Sequence, residues 1–345
     1  MKSFTNAKNA KTRAAQKASF DFTLEQSNHS GIPLDDVNEY LTYLSDCSED
    51  DAATLEPEYT LIMQTIAAAL QSPMATALFE EAAKDGWAID IQDLDDLDFH
   101  LDVPEKCITL NSHGLAPSSL QKSRYFRGSM IMAFVRSLRD IWQEKRHGGF
   151  ETHFNPQHVM LLERIRAADC ETMLVVIAWE IEKAGTPDLW RHLIGSSEGD
   201  MAMAFTAMLE KQKHNTCVYD AMNAAFKQWF LSDERINICD HETLEYLDNI
   251  ITTEDKEAFG TTDLNASDIE MIAYLPNHFA YLQGLGEGIL NNALYTGMND
   301  IINQSHLMHI MEDMQSVQVA GIAFRDAELA AKIFPQGTAK TSIDA

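Results

Sequence analysis

Residues 106–111 read Lys106-Cys107-Ile108-Thr109-Leu110-Asn111, and residues 134–143 read Phe134-Val135-Arg136-Ser137-Leu138-Arg139-Asp140-Ile141-Trp142-Gln143. The first run alternates polar and apolar residues, which predicts a short β-strand. The second run closes a long stretch with apolar residues at helical spacing, which predicts a helix over residues 117–145. A strand, a loop and a long helix therefore follow one another here.

The surrounding sequence predicts an α+β fold that is mostly helical. Residues 87–91 and 99–103 alternate like residues 107–111, so three short strands are expected to form a small β-sheet packed on helices. Apolar residues at helical spacing, broken by glycine and proline, dominate the rest and predict a helical C-terminal region. Further helices are predicted at residues 59–70, 73–85, 156–184, 187–194, 199–212, 214–231, 241–250, 266–273, 277–296, 298–317 and 319–333.

Composition predicts five segments along the chain. Residues 1–30 form a basic N-terminal tail that we expect to be disordered, with Lys2, Lys8, Lys11, Arg13 and Lys17 and no acidic residue before position 18. A helical segment follows over residues 31–85, then an α+β domain over 86–260 and a helical region over 261–334. Residues 335–345 are expected to be a second disordered tail.

The charge and the cysteines restrict the class of protein. A formal net charge of -27 at pH 7 disfavours binding to nucleic acid or to anionic lipid, because like charges repel. No apolar run of 18 residues occurs, so no membrane-spanning helix is predicted. The five cysteines are odd in number and widely spaced, which favours a reducing compartment and predicts a cytoplasmic protein.

The strand, loop and helix resemble the core of zincin metallopeptidases, and especially bacterial putative metallopeptidases whose helix reads His-Glu-x-Arg-His-Ala-Trp-Gln. In such a helix two histidines four residues apart bind zinc, and the glutamate activates the metal-bound water. When the sequences are aligned on Trp142-Gln143, the histidine positions hold Arg136 and Asp140, and the glutamate position holds Ser137. The resemblance therefore implies a zincin-like core in which the zinc site has been lost.

The same resemblance covers residues 86–212 and includes a second helix at residues 160–184, which would carry the third metal ligand. Asp169 matches the family pattern there, while the ligand glutamate falls on Ala167 or is displaced to Glu171. A guanidinium of Arg136 or Arg139 is predicted to pair with Asp169 or Glu171 in place of the metal. The opposite interpretation, ordinary surface charges on two amphipathic helices, is also open.

These residues lead to one functional hypothesis and two alternatives. The leading hypothesis is a binding or scaffold protein with no cofactor and no assigned catalytic residue, which holds an extended peptide along an edge strand at Lys106–Asn111. One alternative is an active metal-dependent hydrolase that binds zinc at His306, His309 and Asp313, which share one helix face. The other is a purely structural helical protein whose likeness to a zincin is chance.

Overall fold

The computed structural model describes residues 31–37, 41, 57–147, 154–211, 217–253, 262–315, 317–319, 322–324 and 332. The two predicted tails, residues 1–30 and 335–345, lie outside this part of the chain. The chain divides into two compact units. The first comprises residues 1–142 and 177–192, and the second comprises residues 143–176 and 193–345.

The fold is α+β and mostly helical, as predicted. The strands are β1 Ile32–Pro33, β2 Ala88–Gln92, β3 Phe99–Asp102, β4 Cys107–Asn111, β5 Val317–Val319 and β6 Ile322–Phe324. The helices are α1 Pro57–Ala69, α2 Pro73–Lys84, α3 Pro117–Lys122, α4 Arg124–His147, α5 Pro156–Lys183, α6 Asp188–Ile194, α7 Gly199–Lys211, α8 Val218–Trp229, α9 Asp233–Thr253, α10 Ala266–Ile272, α11 Gly286–Leu290, α12 Ala293–Thr296 and α13 Ile301–Gln315. Within the described residues, none of these helices is long and apolar enough to cross a membrane.

The first unit contains a four-stranded mixed sheet in the order β1-β2-β4-β3. Strands β2 and β4 pair in parallel at the centre of the sheet. Strand β1 pairs antiparallel with β2, and β3 pairs antiparallel with β4. Three of these strands lie where alternation predicted them. β1 was not predicted, because it is two residues long, includes Pro33 and carries no readable alternation.

The prediction that Lys106–Asn111 forms an edge strand was wrong. β4 lies between β2 and β3, so both of its hydrogen-bonding edges are already paired. The cause is the short turn at residues 103–106, in which Lys106 adopts a positive φ of 52° and folds β3 back onto β4. An extended peptide cannot add to a strand whose two edges are occupied.

Asn111 fixes the acidic turn that connects β2 to β3. Its side-chain oxygen accepts hydrogen bonds from the backbone N–H groups of Leu94 and His113 at 3.2 and 2.7 Å. Its Nδ2 donates to the carbonyls of Asp95 and Leu97 at 3.1 and 2.6 Å. The side chain is buried, so one residue of the sheet provides both donors and acceptors to a loop that carries four aspartates between residues 93 and 98.

The helical predictions hold for most of the chain and fail at three places. Residues 117–145 form two helices rather than one, because Ser123 adopts an extended conformation between α3 and α4. Residues 277–296 form turns and two short helices, since His278 and Gly284 have φ values of 66° and 81° that no α-helix accommodates. Val317–Val319 and Ile322–Phe324 pair as an antiparallel hairpin where a helix over 319–333 was predicted.

Replacing Asn111 with Ala is expected to lower the free energy of unfolding by about 1–3 kcal/mol, because three backbone groups of the acidic turn and the N–H of His113 lose a buried partner. Urea denaturation followed by circular dichroism measures the change. Asn291→Ala is the control, since Asn291 forms exposed contacts with Glu287 of the same helix, and a change within about 0.5 kcal/mol is expected there. Equal stability of the two variants would contradict this assignment.

Candidate functional site

The positions that resemble a zinc-binding motif are Arg136, Ser137 and Asp140, and they lie on α4 in the first unit. Arg136, at the first histidine position, forms an ion pair with Asp98 of the acidic turn, with 3.6 Å between Nη1 and Oδ2. The Arg136 side chain is 13% exposed. Sequence reasoning did not anticipate Asp98 as a partner.

Ser137, which the resemblance aligns with the catalytic glutamate, is fully buried. Its hydroxyl donates a hydrogen bond to the carbonyl oxygen of Phe134 at 2.7 Å, one turn earlier on α4. A serine hydroxyl bonded to its own helix backbone is a common way to satisfy a buried hydroxyl. The side chain therefore faces its own helix and is not presented to a solvent-accessible cleft.

In the second unit the end of α4 contacts the middle of α5 through a buried polar cluster. Gln143 Nε2 donates to Asp169 Oδ2 at 2.5 Å and to the carbonyl oxygen of Arg166 at 3.2 Å. Tyr281 donates its hydroxyl to Asp169 Oδ1 at 3.0 Å. Gln143, Asp169 and Tyr281 are all buried, so the carboxylate receives a donor on each of its two oxygens.

Arg164 lies on α5, a turn and a half before Asp169, and forms a buried ion pair with Asp240. Its Nε and Nη2 donate to the two oxygens of Asp240 at 2.5 and 2.6 Å, in the two-pronged geometry that favours arginine. Nη1 donates to the carbonyls of Tyr295 and Gly297 at 3.0 and 2.9 Å. Burial raises the pKa of the Asp240 carboxyl, and the Arg164 guanidinium opposes that shift.

Zinc, the metal of the peptidases that this motif resembles, does not fit the side chains at the motif positions. A guanidinium has no lone pair to donate, so Arg136 cannot be a ligand. The Ser137 hydroxyl is engaged with its helix backbone and cannot replace a glutamate as general base. Among the described residues, no group of three or more histidine, cysteine, aspartate or glutamate side chains is arranged to hold a metal ion.

The alternative metal site stays a prediction. His306 and His309 lie on α13, the first partly buried and the second exposed. Asp313 belongs to the same helix, but its side chain lies outside the described part of the structure. Asp140 and Glu171, the other two predicted positions, are partly buried and belong to the first and the second unit respectively.

Tyr281 and Asp240 are buried polar partners that sequence reasoning missed. Tyr281 lies 112 residues from Asp169, and Asp240 lies 76 residues from Arg164. No spacing rule connects residues so far apart in sequence. No pattern in the sequence distinguishes Arg164 and Asp169, which are buried, from the other charged residues of α5.

Tyr281→Phe is expected to lower the free energy of unfolding by about 1–3 kcal/mol, because a buried carboxylate oxygen loses a hydrogen-bond donor. Chemical denaturation measures the difference. Tyr219→Phe is the matched control, since the Tyr219 hydroxyl accepts an exposed hydrogen bond from Asn277 at 3.0 Å. If both phenylalanine variants are as stable as the unmodified chain, the hydroxyl of Tyr281 does not stabilise the cluster.

Comparison with known proteins gives one match. No curated protein and no solved structure is significantly similar to the chain. A family model described as "Putative metallopeptidase family (DUF6782)" matches residues 119–269, a segment that extends from α3 into α10. The predicted resemblance to putative metallopeptidases is therefore confirmed over residues 119–269 of this chain.

Proposed function

We propose that this protein is a peptidase-like protein that has lost its zinc site and acts as a binding or scaffold protein. One observation carries the proposal. Ser137 stands where the catalytic glutamate belongs, is fully buried, and donates its hydroxyl to the Phe134 carbonyl. A general base must reach the water molecule that it activates, and this side chain has neither the basicity nor the exposure.

The hydrogen bonds of two buried polar residues on α5 also support the proposal. Asp169 accepts hydrogen bonds from Gln143 and Tyr281 on its two oxygens. Arg164 is satisfied by Asp240 and two backbone carbonyls. Because these groups are paired by the protein itself, we expect the fold to be stable without a metal ion.

The described cysteines support a cytoplasmic location, which is part of the proposal. Cys107, Cys170, Cys217 and Cys239 are free thiols. Burial raises the pKa of the Cys107 thiol, and the nearby Asp90 carboxylate raises it further. Protonated thiols of this kind persist without oxidation in a reducing compartment.

Elemental mass spectrometry of protein purified without an affinity tag is expected to find no metal in a stoichiometric amount. The midpoint of thermal unfolding is expected to be unchanged by EDTA, because metal binding would stabilise the native state by mass action. Hydrolysis of a casein substrate is expected to equal that of a buffer blank. About one zinc per chain, together with proteolysis that EDTA abolishes, would overturn the proposal.

The paired variants His306→Ala and His309→Ala identify the source of any metal that is found. Loss of the metal in both variants would place the ion on α13 and favour the alternative hydrolase. Retention of the metal in both variants would place it elsewhere in the chain. Neither substitution is expected to alter the thermal midpoint of a metal-free protein by more than about 1–2 °C, since surface substitutions change stability little.

A further inference from the structure

An open cleft of about 540 Å³ lies wholly within the first unit. Its walls come from α1, from the first two turns of α4, from the end of α5 and from α6 with the residues that precede it. The volume falls in the range of pockets that bind small molecules, about 300–1,000 Å³. No residue of the zincin-like motif lines this cleft.

The rim of the cleft is cationic. Arg124, Arg127 and Arg191 line it together with His192, whereas Asp188 is the one acidic residue of the lining. Asp188 is paired with Arg191 on the exposed face of α6, with 3.6 Å between the charged atoms. Three arginines around one cleft are notable in a chain of net charge -27, because they concentrate positive potential at one place.

Arg124 and Arg127 are available to a ligand. Both are exposed, and neither forms an ion pair with any residue in the described part of the chain. They are three residues apart at the start of α4, so their side chains emerge from the same face of the helix. A guanidinium presents a fork of N–H donors that matches the oxygens of a carboxylate or a phosphate.

The interior of the cleft is apolar. Its accessible apolar surface comes from Ala68 and Ile131, which are half-buried, and from the exposed ring of Tyr125. Leu61 and Leu189 are buried in the walls. The accessible side chains can contact a hydrocarbon or aromatic body and remove it from water. A charged rim around an apolar interior is therefore complementary to an amphiphilic ligand with an anionic end.

Gly128 allows the wall of the cleft to form around His192. A Cβ at position 128 would lie 2.6 Å from the His192 ring, closer than side chains approach one another. Tyr125 contacts the same ring edge-on at 5.1 Å between centroids, and the Ser129 hydroxyl lies 3.4 Å from Nε2. The imidazole is thus held between α4 and α6, and it contributes a fixed polar group to the wall.

We propose that this cleft binds a small molecule with an apolar body and a carboxylate or phosphate group. The apolar body occupies the interior, and Arg124 and Arg127 bind the anionic group at the rim. A polyanion such as nucleic acid does not fit, because the acidic surface of the remaining protein repels an extended chain of negative charge. This inference goes beyond the proposed function and does not depend on the loss of the zinc site.

Isothermal titration calorimetry of the full chain tests the proposal with octanoate and octyl phosphate as probes. Octanamide has the same apolar body without the charge, and inorganic phosphate has the charge without the body. At least one of the two anionic probes is expected to bind about tenfold or more tightly than octanamide and than inorganic phosphate. Which of the two binds more tightly distinguishes a carboxylate ligand from a phosphate ester.

Matched variants locate the binding. Arg127→Gln and Arg124→Gln are expected to weaken the anionic probe about tenfold each, while leaving octanamide unchanged. Lys84→Gln is the control, because it removes the same charge from an exposed position of α2 that does not line the cleft. Gly128→Ala is expected to displace His192 and abolish binding of both anionic probes, with thermal unfolding recorded to establish that the variant is folded.

Three outcomes would overturn the proposal. Absence of binding by both anionic probes would mean that the cleft is not a site for this ligand class. Equal affinity for octanoate and octanamide, unaffected by the arginine variants, would mean an apolar cavity without anion recognition. Binding of inorganic phosphate as tight as that of octyl phosphate would mean that the arginines bind an adventitious ion only, without recognition of an apolar body.

Discussion

The buried ion pair between Arg164 and Asp240 is the constraint on which the second unit depends. An unpaired charge in a protein interior costs several kcal/mol, so the guanidinium must receive acceptors for its donors when the chain folds. Asp240 supplies two, and the carbonyls of Tyr295 and Gly297 supply two more. The ion pair therefore holds α5, α9 and the end of α12 together. Separating any one of them would remove a hydrogen-bond partner from the buried Arg164 guanidinium.

The position of α5 in turn determines what its other polar residues can do. Most residues of this helix are buried, although it carries charged side chains along its whole length. Asp169 then faces Gln143 and Tyr281, and each of its oxygens is used in a hydrogen bond. A carboxylate engaged in this way serves the packing of helices. Asp169, which the resemblance places on the helix of the third metal ligand, thus stabilises the contact between α4 and α5.

Local structure could be predicted from the sequence, whereas pairing between distant segments could not. Alternation located β2, β3 and β4, and helical spacing located α5, α6 and α7 within about two residues, the usual uncertainty of helix ends. The order of the strands depends on which edges meet, and nothing in the alternation of residues 107–111 distinguishes an interior strand from an edge strand. Tyr281 was placed in a predicted helix over 277–296, so its role against Asp169 could not be inferred. In the structure residues 281–285 form a turn, and the Tyr281 hydroxyl donates a hydrogen bond to Asp169.

Helix α4 divides into two regions with opposite surroundings. From Met132 to Gln143 most side chains are buried, and the hydroxyl of Ser137 is satisfied by its own helix. At its start Arg124 and Arg127 are exposed and line an apolar cleft. Buried polar groups that are fully paired cannot exchange partners with a ligand without a desolvation cost, whereas exposed guanidinium groups lose little by binding one. Recognition of a ligand by this helix is therefore favoured at its first two turns, away from the positions that resemble the zinc motif.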